Sequence, residues 1–338
     1  RLTLIDDDPD ADARRLDYND LVAAIFRTAA ALRHVGQSRD KAVLFLGLPT
    51  IEGLVAFWGA QVHGAVWPVN PMLSLAQLQR LATAMPVAAV IAPAPALSPD
   101  IHAKATAVAA TLGVPLLAAD RDPGPGGVSL AALADGFSGD FPPEPLPGDL
   151  DIAACFPTGG TTGLPKIARL SHRNQIAGIM ATALIHDPSP DIVTANGLPL
   201  FHVGGGVIAT TRALVLGQTL VQLSPAGFRA PRLMARFWDE AHRHGIDQLI
   251  AVPTVFSDLI ERWPGGASPI RYFIAGASKL PASLNERYER VFGIGVHEGY
   301  GMTECSGFAT GNPVGQPPRA GSAGQPLPFY DVRVGDSD

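Results

Sequence analysis

Apolar runs of strand length alternate with stretches of helical periodicity along most of the chain. Between Tyr18 and Val35, Leu21, Ile25, Ala29 and Leu32 recur at helical spacing, which predicts a helix with one buried face, and Gly36 can close it. Ala42 to Leu48 is a short apolar run that reads as a strand. Thr50 can cap a helix from Ile51 to Gly64, and Val66 to Val69 is strand-like again. Ser74 and Gln77 have the spacing of a capping box for a helix to about Ala84. Val87 to Ile91 predicts a strand, Ser98-Pro99-Asp100 the start of a helix ended by Gly113, and Leu116 to Ala119 a further strand. Strands and helices in alternation imply a mostly parallel sheet with helices on both faces.

Between residues 121 and 150 prolines and glycines crowd together, notably at 123–127 and 142–148, and the stretch reads as a surface connection. The alternation then resumes. Strands are expected at Ile152 to Phe156, Ile167 to Leu170, Ile192 to Leu198, Thr219 to Leu223, Leu249 to Val252, Tyr272 to Ala275 and Ile294 to His297. Helices are expected from His172 to Ile185, capped by Ser171, and from Val207 to Leu216, opened by three glycines. Further helices are expected over Pro231 to His244, Val255 to Arg262 and Ser283 to Val291. A last short strand is expected at Asp331 to Val334. The organisation expected is therefore a first α/β subdomain over 1–120, the connection 121–150, a second α/β subdomain over 151–310, and the start of a β-rich subdomain over 311–338.

Polar loops follow the expected strands ending near 156, 198, 252, 275 and 297. In open α/β sheets ligands bind at the carboxyl ends of the strands, so these loops mark a site. The most telling is Thr158-Gly159-Gly160-Thr161-Thr162-Gly163-Leu164-Pro165-Lys166. Glycine admits positive φ and close approach of a ligand, and successive free N–H groups in such a turn form an anion cradle. The threonine hydroxyls add donors and Lys166 adds a full positive charge. The stretch reads as a phosphate loop, but not of the two commonest kinds. A Walker A loop has lysine directly after its last glycine, at the start of a helix. Here Leu164 and Pro165 intervene and a strand follows. The adjacent Gly159 and Gly160 also break the G-x-G-x-x-G spacing of a dinucleotide fingerprint.

Composition narrows the class. The chain has 338 residues, enough for about two domains. Its apolar fraction is 47% and its charged fraction 17%, which excludes a disordered chain. A net charge of −6 argues against a nucleic-acid partner held by phosphate attraction. No apolar run reaches the length of a transmembrane helix, and Arg1 to Asp12 lacks the apolar core of a signal peptide. Two cysteines, Cys155 and Cys305, exclude a disulfide scaffold, and a cytoplasmic location is expected.

The glycine-rich stretch resembles the phosphate-loop signature of adenylate-forming enzymes: acyl-CoA synthetases, amino-acid adenylation domains and luciferases. Gly276-Ala277-Ser278, Tyr300-Gly301-Met302-Thr303-Glu304 and Gly321 to Pro328 resemble three further signatures of that family, in the same order. Gly159 stands where the family often has serine. The resemblance implies the large N-terminal domain of that fold, with two helix-flanked sheets and a small β-rich subdomain. It also implies that the mobile C-terminal domain, with its catalytic lysine, is absent. On that expectation the chain alone adenylates poorly and does not complete thioester formation.

The resemblance carries residue roles. Thr158, Gly159, Gly160, Thr161, Thr162, Gly163 and Lys166 would clamp ATP phosphates. Gly276, Ala277 and Ser278 would line the adenine pocket, with Glu298, Gly299, Tyr300, Gly301 and Met302 beside them and Tyr300 stacking on the base. Thr303 would donate to the α-phosphate. A carboxylate about 4 Å from a phosphate charge is repelled by roughly 4 kcal/mol at an effective dielectric near 20, so Glu304 makes sense there only through a bridging cation. Mg²⁺ uses one or two carboxylates with phosphate oxygens, and Glu304 would be its ligand. The acid would lie against His202, Val203, Gly204, Gly205, Pro253, Phe256, Ala275, Gly276 and Gly301. The pocket segments His202 to Gly206, Pro253 to Phe256, Ala275-Gly276 and Gly301 to Ser306 hold no charged residue but Glu304, which favours a fatty or aromatic acid, and the small residues suggest room for a bulky one. His202 reads as a positioning group, because a carboxylate substrate is already ionised at neutral pH.

The implied reaction joins a carboxylic acid to ATP as acyl-adenylate, then passes the acyl group to coenzyme A. The alternatives are a carrier-protein thiol as acceptor and an inactive nucleotide-binding homologue. A homodimer stays open. His242-Arg243-His244 reads as a solvated helix end, because residues two apart on a helix do not face each other.

Overall fold

The computed structural model describes residues 1–5, 12–140, 144–158 and 165–335. It holds two sheets and three layers of helices. The first sheet has six strands in the order Leu116–Ala118, Val87–Ala92, Ala42–Phe45, Val66–Pro68, Ile152–Pro157 and Ile167–Ser171. All its pairings are parallel except the last, an antiparallel hairpin. The second sheet has nine strands in the order Gln325–Pro326, Gly307–Gly311, Val296–Met302, Tyr272–Ala275, Gln248–Ala251, Val193–Asn196, Thr219–Leu223, Leu2–Ile5 and Arg14–Leu16. The six strands from Val296–Met302 to Leu2–Ile5 are parallel.

Helices Tyr18–His34, Ile51–His63 and His172–Ala183 lie between the sheets. One apolar core there joins Val43, Phe45 and Phe156 of the first sheet to Leu220, Ile250 and Ile274 of the second. Helix Ile51–His63 is buried on almost every side, as a helix in a middle layer must be. A second core lies under Leu75–Ala82 and Pro99–Leu112 on the outer face of the first sheet. A third lies under Phe237–His244, Pro253–Glu261 and Ala282–Phe292 on the outer face of the second. Burial on both faces explains why most strands read as unbroken apolar runs.

Local signals are realised where the chemistry is local. Ser74 and Gln77 exchange both bonds of a capping box. Ser171 accepts from the Asn174 N–H as an N-cap, and Gly113 closes its helix at φ 67°.

Several expectations are corrected. Leu2–Ile5 forms a strand although acidic residues follow it, because Thr219–Leu223 offers it an open edge. The strands do not divide at the Pro/Gly-rich segment. Ile152–Pro157 and Ile167–Ser171 complete the first sheet, while Leu2–Ile5 and Arg14–Leu16 belong to the second. The glycine run 204–206 begins a π-helix, Gly204–Thr211, continued as Arg212–Val215. The expected helix Pro231 to His244 breaks at Arg236, beyond which Phe237 and Trp238 are both buried. Strand Val296–Met302 runs five residues past His297, held by an antiparallel partner, Gly307–Gly311. Asp331 to Val334 is irregular: its apolar positions find no cover, and Val334 is 98% exposed.

Candidate active site

The carboxyl ends of the second sheet's parallel strands face a cavity of about 690 Å³. The first sheet contributes Gly47, Leu48, Pro49 and Pro71, from the loops after its own central strands.

The first wall is set by strand Val193–Asn196. Asn196 Oδ1 accepts from the Leu198 N–H at 2.9 Å, and its Nδ2 donates to Gln222 Oε1 at 2.9 Å. Gln222 Nε2 donates back to the Asn196 carbonyl at 2.9 Å. Two buried amides thus shape the turn that delivers Leu198 to His202. The His202 carbonyl accepts from the N–H groups of Gly205 and Gly206 at 3.0 and 2.8 Å, starting the π-helix. The hydroxyls of Thr210 and Thr211 both donate to the Gly206 carbonyl at 2.7 Å, and Trp58 Nε1 donates to Thr211 Oγ1 at 3.0 Å. A π-turn of this kind re-aims one turn of helix, and its usual place is a functional site.

The small residues here do not all make room. A Cβ on Gly205 would stand 2.3 Å from the Pro199 carbonyl oxygen, and one on Gly206 would stand 2.8 Å from that of Leu200. These two glycines serve close backbone packing, and Gly204 alone leaves ordinary space. Ala275 and Phe256 are fully buried in the outer core and do not line the cavity. Pro253 is buried at the first turn of its helix, and Thr254 and Val255 take its place in the wall. His202, Val203, Gly204, Gly205, Gly276 and Gly301 do line it.

The opposite wall comes from Gly276–Ala277 and Gly301–Thr303. Ala277 has φ 69°, a left-handed conformation that costs an alanine free energy and recurs at ligand-holding turns. A Cβ on Gly299 would meet the Phe308 ring at 2.7 Å, and one on Gly301 would meet the Gly307 oxygen at 1.9 Å. Those glycines are therefore demanded by the partner strand. Tyr300 lies at a bulge between them and is 53% exposed, its ring free to meet a flat ligand. Ser278 is exposed outside the cavity wall. Glu298 is buried and braces the fold: Oε1 accepts from the Leu280 N–H at 3.0 Å, and its carbonyl accepts from the N–H and Nδ2 of Asn312.

The phosphate-loop residues Gly159, Gly160, Thr161, Thr162, Gly163 and Leu164 lie outside the described residues. Their stem is described. The Thr158 N–H donates to the Lys166 carbonyl at 2.8 Å, and Thr158 Oγ1 donates to it at 3.3 Å. The hairpin leg Ile167–Ser171 runs beside the turn Thr303–Cys305. Two motifs more than 130 residues apart in sequence are thereby brought together. Lys166 and Glu304 are both exposed, and neither side chain makes a hydrogen bond or ion pair with a described residue. The oxygens of Glu304 are thus free for a hard cation such as Mg²⁺, which fits its donor type.

Electrostatics sort the remaining groups. His202 keeps an exposed edge, but its ring packs on Phe201 at 4.6 Å between centroids, and desolvation lowers its pKa. Desolvation favours its neutral form. Cys155 is buried, and burial pushes its thiol up to about 11. His242 is spent on packing: Nδ1 lies 2.8 Å from the Trp238 carbonyl and Nε2 3.0 Å from that of Ala267. His244, expected in solvent, has a buried side chain 3.3 Å from Glu240. Among the described residues no group of three metal-ligating side chains occurs. No helix of the described residues is long and apolar enough to cross a membrane. Arg229 also lines the cavity and was not anticipated, since it lies in a loop with no motif around it.

The carboxyl ends of the parallel strands thus bring a strained turn and a largely apolar cavity together at one sheet edge. The chain belongs to the AMP-binding enzyme family, which matches residues 2–338. It is similar to an indoleacetate–CoA ligase of Aromatoleum aromaticum, 30% identical over 331 residues that cover 96% of this chain and 62% of the relative. It is 29% identical over 324 residues to a marinolic acid–CoA ligase of Pseudoalteromonas sp., covering 90% of this chain and 48% of the relative. Among solved structures, ATP-bound MatB from Rhodopseudomonas palustris superposes with a TM-score of 0.77 at 28% identity, covering 97% of this chain and 61% of that one. An anthranilate CoA ligase superposes at TM-score 0.85 and 18% identity, a likeness of fold. The chain spans from 48% to 62% of the length of the two curated relatives.

Proposed function

We propose that this chain is the acid-activating part of an AMP-forming acid–CoA ligase, acting on a carboxylic acid with an apolar body. The observation that carries the reading is the single cavity that joins an apolar wall at Leu198 to Gly205 to the polar turns at Gly276 and Thr303. ATP would lie along those turns, with Tyr300 against the adenine and Thr158 and Lys166 towards the phosphates. Glu304 would hold Mg²⁺, which when bound would offset phosphate charge.

The acid's carboxylate attacks the α-phosphorus, releasing pyrophosphate and giving acyl-adenylate. In-line placement and stabilisation of developing charge are the tasks of the protein. Thr303 donates to an α-phosphate oxygen. Neutral His202 orients the carboxylate without competing for a proton. Coenzyme A then displaces AMP, in a protein that carries the rest of the ligase length.

ATP–pyrophosphate exchange by that protein, across fatty and aromatic acids, is the direct test. Acid-dependent exchange is expected, with K166A and E304A each lower by about 10²–10³. Losses under threefold at both positions would overturn the reading.

A further inference from the structure

We propose that Arg229 recognises a carboxylate-class acceptor group at the far end of the acid substrate, so that the acid has an apolar body and a second polar terminus. This rests on the adenylation reading above. Arg229 ends the short 3₁₀ turn Gly227–Arg229, after strand Thr219–Leu223. Along the sheet edge that strand lies three steps from Tyr272–Ala275, whose loop carries Gly276 and Ala277. Three strand spacings come to about 14 Å. Arg229 therefore stands at the end of the cavity remote from the nucleotide turns, and its long side chain shortens the gap a substrate must bridge.

The turn is built to hold that place. Phe228 N–H donates to the Gly197 carbonyl at 3.1 Å, and a Cβ on Gly227, at φ 59°, would come 2.1 Å from that same oxygen. A Cβ on Gly197 would meet the Phe228 ring at 2.8 Å. Two glycines and one phenylalanine thus clamp the loop to the strand end that also presents Leu198. Among the described residues only His202 and Arg229 bring ionisable side chains to the wall. His202 is neutral and assigned to the reacting end. Arg229 is exposed, and its guanidinium makes no hydrogen bond or ion pair with a described residue, whereas Arg14, Arg121, Arg262 and Arg287 each hold a carboxylate. A planar guanidinium at an apolar wall suits bidentate capture of a carboxylate.

The test uses pyrophosphate exchange by the full-length protein with straight-chain monoacids and their ω-carboxy counterparts of equal length. Wild type is expected to favour the ω-carboxy acids by at least tenfold in kcat/KM. R229M and R229Q should collapse that ratio towards one through the KM of the diacid, with R229K between. Calorimetric titration of the same diacid into each variant reads the loss without turnover. An unchanged ratio in active R229M and R229Q overturns the inference alone. No exchange with any acid overturns the adenylation reading as well.

Discussion

On the outward face of the nine-stranded sheet, Val221, Ala195, Leu249, Phe273 and Val296 stand in one row across five strands, all fully buried and all apolar. One residue away on the inward face, the matching row reads Leu220, Thr194, Gln248 and Tyr272, and the next reads Gln222, Asn196, Ile250, Ile274 and His297. The outward face meets an aromatic cluster in which Phe273 lies 4.9 Å from Tyr288, 5.2 Å from Phe292 and 6.1 Å from Phe256 between ring centroids. The inward face carries a buried polar seam. Arg212 Nη1 donates to Gln248 Oε1 at 2.9 Å, and Nη2 donates to the His186 carbonyl at 2.6 Å. Thr194 Oγ1 donates to Gln248 Oε1 at 3.2 Å. Dispersion and burial are nondirectional and tolerate some repacking, whereas buried hydrogen bonds fix one arrangement. The Asn196–Gln222 pair lies under the turn that forms the first cavity wall, whereas the Arg212–Gln248 bonds tie the amino ends of the strands.

The comparison breaks most visibly at Phe273. F273A should cost about 3–5 kcal/mol in urea unfolding, and a loss under ~1 kcal/mol would mean that the outward face is loosely packed. R212M leaves the oxygens of Gln218, Gln248 and His186 without their charged donor, and a loss of about 2–3 kcal/mol is expected. If R212M were as stable as wild type, the seam would be ornamental to stability.

Acid should find the same face. His186 and His297 have their pKa lowered by desolvation, with Arg212 and each other's proximity adding to the effect on His186. Folded, they are neutral, whereas in the unfolded chain they titrate near 6.5. Below that value the unfolded chain binds more protons, so stability falls as pH drops, by up to about 1.4 kcal/mol per histidine per pH unit. Above pH 7 the dependence vanishes. Chemical denaturation between pH 5 and 8 measures the slope, which R212M should soften by removing the arginine's contribution.

The smallest effect sharpens the contrast. N196A should lower stability by about 1 kcal/mol through its lost amide bonds, yet raise the KM for the acid several-fold with the KM for ATP little changed. Equal changes in both would detach Asn196 from the acyl wall.

Much of this was legible beforehand. Helix starts at Ser74 and Ser171, and the stop at Gly113, depend on bonds made within four residues, and they fall where the spacing put them. The parallel alternation and the edge where the loops gather follow from period alone. The seam was not legible, because Gln222 and Gln248 look like breaks in apolar strands until partners on other strands are known. Nor could Gly205 be told from Gly204, since what excludes a side chain at Gly205 is the Pro199 carbonyl oxygen, brought close by the fold. Phe256 and Ala275, assigned to the pocket by resemblance, face the outer core instead, because the pitch of their helix and strand points them to the other layer.

From its own letters the chain determined most of its elements and its layered α/β class, because those rest on short-range sterics and periodicity. Tertiary structure alone decided which motifs meet, which glycines leave space and that Arg229 reaches the cavity. Contacts between residues far apart in the chain have no signature at either position, and only the packing of the two sheets supplies the neighbours that give each side chain its task.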